Sequence, residues 1–219
     1  MMHIEHAWDP ETQQQVFRVL LEATARPGRI YALPSDLEDC PGFLTILASL
    51  VDNTVSLHDA TRGLSQREWN FLQARQEPAD TAGFILASGA EGPGFVPAVG
   101  SLESPEKGAT LIVAVACLGR GSQGISCTGP GIKDRHQFAL HGLHPDWLSA
   151  RARWNAWFPL GVDMYVADHS QVLALPRTTS ISLRRTAVEG NRVLPKNQDR
   201  ALHANITAQP KAALNTQRG

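Results

Sequence analysis

The chain lacks most of what a self-sufficient metal or nucleotide enzyme needs. It has 3 cysteines in 219 residues, Cys40, Cys117 and Cys127, too widely spaced for a zinc ribbon or for the trio that ligates an iron-sulfur cluster. It has no excess of either charge: 20 Lys+Arg stand against 21 Asp+Glu, a net charge of -1. Generic nucleic-acid binding relies on a basic field, so nucleic acid is not an expected partner. No apolar run is long enough to span a membrane and no signal peptide is evident, so the expected location is the cytoplasm, with thiols reduced. The phosphate-loop lysine motif is missing, which leaves independent ATP hydrolysis without a cradle. The lysines are Lys107, Lys133, Lys196 and Lys211, and none sits in a frame suited to a Schiff base.

What is present alternates between two periods. Asp9-Pro10-Glu11 is a helix start, with a capping oxygen, a proline suited to the first helical position and an acid that complements the dipole. Val16, Phe17, Leu20, Leu21 and Thr24 follow at three-to-four spacing until Pro27-Gly28 ends the helix. A second helix is expected over Phe43 to Val51, then a short strand over Thr54 to Leu57. Ser65-Gln66-Arg67-Glu68 has the form of a capping box, which turns Trp69 and Leu72 inward. Phe84 to Ala87 reads as a buried strand, and Gly92 to Gly108 as a loop punctuated by proline and glycine. Thr110 to Leu118 is nearly all apolar, the pattern of a central strand covered on both faces. Pro145 to Trp157 reads as a helix carrying Trp147, Leu148, Trp154 and Trp157, with Arg151 and Arg153 facing solvent. Val162 to Ala167 and Gln171 to Leu175 form a strand pair joined through Asp168-His169-Ser170. This mixture predicts an α/β domain: a mixed sheet flanked by helices. After Arg185 the apolar periodicity lapses, so residues 1–185 are expected to form the domain and 186–219 a weakly ordered tail.

Several motifs carry competing readings. Gly119-Arg120-Gly121-Ser122-Gln123-Gly124 spells a dinucleotide fingerprint, but the strand-like Ile125-Ser126-Cys127-Thr128 follows where a helix should open, so a hairpin turn is expected. Gly129-Pro130-Gly131-Ile132 allows close backbone approach, either to a ligand or to a neighbouring segment. Arg177, flanked by Thr178 and Thr179 at a strand end, offers a planar fork and two hydroxyls suited to phosphate. The alternative is an arginine held by an acidic partner such as Asp163. Asp163 and Asp59 are strand-end carboxylates able to ion-pair, to bind a metal-phosphate or to act as a base. His136, His141 and His144 lack a metalloprotease frame and read as loop histidines rather than a zinc site.

Phe158-Pro159-Leu160-Gly161-Val162-Asp163, followed by Leu175-Pro176-Arg177-Thr178-Thr179, resembles the closing signature of the PhnH family, a subunit of the bacterial carbon-phosphorus lyase system. Ala25-Arg26-Pro27-Gly28, Leu57-His58-Asp59-Ala60-Thr61, Gly108-Ala109-Thr110-Leu111 and Thr128-Gly129-Pro130-Gly131-Ile132 match in the same order, so the resemblance runs from Phe17 to Leu183. It implies a fold similar to the large domain of pyridoxal-phosphate transferases, with no cofactor bound by this chain. It also implies a homodimer within a larger assembly of PhnG, PhnI and PhnJ type subunits. That assembly is associated with replacing the adenine of ATP, its co-substrate, by methylphosphonate to give alpha-D-ribose 1-methylphosphonate 5-triphosphate. Donors such as Arg177 would serve a held triphosphate or phosphonate. A purely structural scaffold subunit is the alternative.

Overall fold

The computed structural model describes residues 4–34 and 40–183; the tail expected over 186–219 lies outside them. A 3-10 turn at Ile4–Trp8 leads into helix α1 (Pro10–Ala25). Its Asp9 cap is extended, but the carboxylate accepts no helix N–H and instead lies 3.1 Å from His6 Nδ1. The buried line of α1 is Thr12, Val16, Leu20 and Ala23. Phe17 and Leu21, expected on that face, are 46% and 54% exposed, because the stripe is narrower than their spacing suggests. After strand β1 (Tyr31–Ala32), helix α2 (Gly42–Leu50) buries most of its length against α1. Helix α3 (Gln66–Leu72) opens on the expected capping box: Glu68 N donates to Ser65 Oγ, and Ser65 N donates to Glu68 Oε2. Leu72 is buried and Trp69 half-buried.

The central sheet contains β1, β2 (Ser56–Asp59), β3 (Arg75–Gln76), β4 (Phe84–Ser88), β5 (Thr110–Ala114), β8 (Asp163–Ala167) and β9 (Gln171–Leu175), in the order β1-β9-β8-β5-β4-β2-β3. The five strands from β8 to β3 run parallel; at one edge β9 is reversed, and β1, antiparallel to β9, runs in the same direction as the five. A second sheet, β10-β6-β7, is antiparallel: β6 (Cys117–Thr128), β7 (His136–His141) and β10 (Ser180–Leu183).

Side chains of the central strands alternate between two cores, as the pleat requires. Leu86, Ile112, Ala167 and Val172 face α1, α2 and Leu72 of α3. Ile85, Leu111, Val113, Val166 and Leu173 face the second sheet and helix α4 (Asp146–Trp154). The expected α/β class with a mixed sheet is therefore what the chain adopts, but one flank is mainly a sheet rather than helices.

Two strand assignments need correction. The apolar run Thr110 to Leu118 is not one strand: it is shared between β5 and β6. Val115 N donates to Ala167 O of the central sheet at 2.8 Å, and Ala116 N to His141 O of the second sheet at 3.1 Å. Nor is Gly119–Gly124 a hairpin turn. Leu118 and Gln123 both face Leu140 of β7, so the intervening residues protrude as a bulge within one strand. Gly119 and Gly121, at φ 77 and 138, supply the left-handed backbone this needs.

Cys40 and Cys127 are buried and Cys117 is half-buried. Burial pushes the Cys40 and Cys127 thiols up, against smaller opposing hydrogen bonds. In the folded protein a disulfide reagent is expected to titrate Cys117 rapidly and the other two only on unfolding. Rapid reaction of all the thiols under native conditions would contradict this burial.

Candidate functional site

The sequence candidates separate into two places at opposite ends of the central sheet. Asp163 opens β8 and Arg177 follows the end of the antiparallel β9, so they meet at the amino end of the parallel strands. Arg177 Nε and one Nη donate to Asp163 Oδ2 at 3.1 and 2.7 Å, while the Arg177 backbone N–H donates to Oδ1 at 2.7 Å. The other Nη donates to the carbonyls of Pro105 and Pro159 at 2.7 and 3.2 Å. The guanidinium thus ties together three chain segments, and each of its nitrogens is engaged by this chain itself. This is the pairing with Asp163 that the sequence left as one of two readings. Gly108 makes it possible, because a Cβ there would meet the Gly161 carbonyl and both Arg177 Nη atoms.

Thr178 is exposed, whereas Thr179 is buried with its hydroxyl unpartnered among the described residues. Gly129 lies against this turn: a Cβ at its φ of 141 would stand 2.8 Å from Thr178 O. Gly131 instead lets the chain pass the end of α1, where a Cβ would collide with Ala25 O. Both glycines therefore serve close approach between segments of this chain.

Arg151, expected in solvent, is 2% exposed. It donates to the carbonyls of Thr179, Leu175 and Pro176 at 2.8, 3.1 and 2.6 Å, holding the exit of β9 against α4. Burial pulls its guanidinium down to about 10, opposed by the nearby Asp163 carboxylate, so it remains protonated at neutral pH. Its position was available from the sequence, since it falls four residues after the buried Trp147, on the same helix face. Arg153 is exposed as expected. The helix ends at Trp154, short of the predicted Trp157, which is 78% exposed. Asn155 stops it by bonding Val162 N and O through its side chain at 2.7 and 3.2 Å.

Asp59 ends β2, at the carboxyl end of the parallel strands. Its carboxylate accepts from Thr61 N, Thr61 Oγ1 and Leu64 N at 3.0, 2.5 and 2.9 Å, which closes the turn after the strand. From here the chain proceeds through α3, whose Leu72 packs on the helical face of the sheet. The segment after the neighbouring β4 goes the other way, and Phe95, Ala98 and Val99 pack on the opposite face. Divergence of connections from two adjacent parallel strands opens a crevice at their carboxyl ends, the usual ligand position in open α/β sheets. A cavity of about 530 Å3 occupies it, lined among others by His58, Asp59, Arg62, Ser88, Glu91 and Phe95. A second hollow of about 590 Å3, on the β3 side, shares His58, Asp59 and Arg62. His58 lies between Leu57 and Asp59 with no local signal of its own, and strand order brings it to the crevice.

Neither Lys107 nor Lys133 lines this cavity. His136 and His141 lie at opposite ends of β7 and His144 beyond it. Among the described residues no group of three or more His, Cys, Asp or Glu side chains is arranged to hold a metal ion. Among them, too, no helix is long and apolar enough to cross a membrane.

Comparison with known proteins covers almost all of this domain. Residues 5–182 match the family described as bacterial phosphonate metabolism protein (PhnH). The chain is 38% identical over 177 residues to a Stutzerimonas stutzeri protein named "Putative C-P lyase subunit protein HtxG", covering 81% of this chain and 89% of that one. It is 34% identical over 179 residues to a Rhizobium meliloti (strain 1021) protein named alpha-D-ribose 1-methylphosphonate 5-triphosphate synthase subunit PhnH, covering 77% of this chain and 89% of that one.

Proposed function

The chain belongs to the PhnH family of bacterial phosphonate metabolism, and from that premise we propose that it is a subunit of a carbon-phosphorus lyase complex. In this reading the complex forms alpha-D-ribose 1-methylphosphonate 5-triphosphate from ATP and methylphosphonate and releases adenine. The chain acts there as a homodimer joined to PhnG, PhnI and PhnJ type subunits, and holds no cofactor of its own. The observation that carries the reading is the alignment with the Rhizobium meliloti synthase subunit over 89% of that protein. Such coverage leaves little of the relative's architecture unmatched.

The reaction is a substitution at the anomeric carbon of ribose. It needs the triphosphate held, a phosphonate oxygen aimed at that carbon and the departing base stabilised. Arg177 and Asp163 enter this scheme as positioning residues, because the guanidinium already answers Asp163, Pro105 and Pro159. Thr178 is exposed on the same turn, and among the described residues its hydroxyl has no partner, which leaves it able to meet a ligand or another subunit. The engagement of Arg177 within its own chain favours a second reading, in which this chain is a scaffold with no catalytic group.

Co-expression of tagged chain with PhnG, PhnI and PhnJ type subunits tests both, with adenine release from ATP plus methylphosphonate as the readout. The contributing role predicts that the remaining subunits still assemble when this chain is withheld, yet release no adenine. The scaffold role predicts that they separate on size exclusion. Failure of the tagged chain to retain any of these partners would reject membership of the complex.

A further inference from the structure

The crevice at the carboxyl ends of β2 and β4 contains polar groups whose hydrogen-bonding capacity is only partly used among the described residues. His58 Nδ1 lies 3.0 Å from the Glu77 carbonyl oxygen. A carbonyl only accepts, so in the neutral ring Nδ1 carries the proton and Nε2 presents its lone pair. The side chains of Arg62 and Glu91 make no hydrogen bond or ion pair among the described residues. The Ser88 hydroxyl accepts from Ala90 N at 3.3 Å and keeps its own proton to donate. Phe95 lines the cavity as its aromatic wall. Its ring contacts those of Trp147, which also lines the cavity, and Trp154, with ring centroids 6.1 Å away in each case.

The charge balance of this lining decides between ligand classes. Arg62 contributes one positive charge; Asp59 and Glu91 contribute two negative charges, and only that of Asp59 is answered by local donors. A polyphosphate or a free phosphonate would be brought toward an excess of carboxylate, which disfavours it. The vacant acceptors, His58 Nε2 and the Glu91 carboxylate, instead call for N–H or O–H donors, and Phe95 calls for a flat apolar face. We propose that this cavity binds an uncharged nitrogen heterocycle bearing N–H donors, of nucleobase or nucleoside type, with His58 Nε2 and Glu91 as acceptors and Phe95 as the wall. Since adenine is the base released in the reaction proposed above, the inference deepens that reading, but it concerns binding by this chain alone.

Isothermal titration of the purified full chain with adenosine, adenine, ribose 5-phosphate and inorganic phosphate tests it. Adenosine and adenine bind; the two anions neither bind nor compete. Glu91→Gln, a change at an exposed side chain, weakens adenosine about tenfold through loss of one charge-assisted hydrogen bond. His58→Gln does the same, with the thermal midpoint as a control for folding. Absence of binding by both bases, displacement of adenosine by phosphate, or affinity untouched by Glu91→Gln would each overturn the proposal. A chain that binds adenosine but retains no partner subunit defeats only the assembly reading. One that assembles and ignores both bases defeats only this one.

Discussion

Replacing Arg177 by alanine is expected to lower the stability of the folded chain by about 3 kcal/mol, seen as a lower urea midpoint with unchanged slope. The Arg177 side chain is 15% exposed and that of Asp163 37%. Truncation removes both side-chain bonds to Asp163 and the donor shared by the Pro105 and Pro159 carbonyls. Asp163 keeps the backbone N–H of residue 177 and partial access to water, which holds the loss at the lower end for a broken buried pair. Arg177→Lys should recover only part of it, because an ammonium cannot present the planar fork to one carboxylate and two carbonyls at once. A loss below about 1 kcal/mol for the alanine variant, the level of an exposed pair, would mean that Arg177 does not organise this corner. It also follows that lost activity in an Arg177→Ala complex reports on chemistry only after folding has been checked.

The second large effect is expected at Arg151. Alanine there should cost about 4 kcal/mol and methionine about 2 kcal/mol, by the same denaturation measurement. Both leave the carbonyls of Leu175, Pro176 and Thr179 without their donor. Only alanine also opens a void between α4 and the end of β9. The opposing contribution is the desolvation that pulls the Arg151 guanidinium down, since a buried charge replaced by an apolar group of similar volume is often tolerated. If desolvation outweighs the three bonds, methionine will be neutral or stabilising. That result would identify Arg151 as retained for something other than stability.

Local signals carried much of the fold. The capping box at Ser65 and Glu68, the stop at Pro27-Gly28 and the β8–β9 hairpin are decided within a few residues, and each stands where the sequence places it. The Asp168 carboxylate illustrates this, accepting from Ser170 N and Gln171 N at 3.0 and 2.8 Å to close its own turn. The second sheet was hidden because its pairing is long-range: Ile181 of β10 faces Cys127 of β6. No window along the chain contains both. The bulge at Gly119 to Ser122 reads as a turn for the same reason, because such glycines serve a turn or a bulge according to what Leu118 pairs with.

The candidate site was legible as residue types and not as places. Asp59 and Asp163 look alike in the sequence, each beside a strand. Strand direction puts one where connections diverge and the other where a tie is needed. His58 was inconspicuous because its importance comes from strand order, which a single sequence leaves open. Arg151 is expected in solvent because its charge outweighs its spacing, although its offset from Trp147 places it on the buried face.

The crossing at Val115 and Ala116 couples the two sheets more closely than contact between their faces would. Adjacent amides bond to different sheets, so the connection has no slack in which one layer could swing away from the other. The opposite end of the second sheet is bound as tightly, through β10, to the turn that Arg151 holds. Opening either layer therefore breaks backbone bonds of the other, and the amides of β5 and β6 should exchange with solvent as a single cooperative unit rather than in two stages.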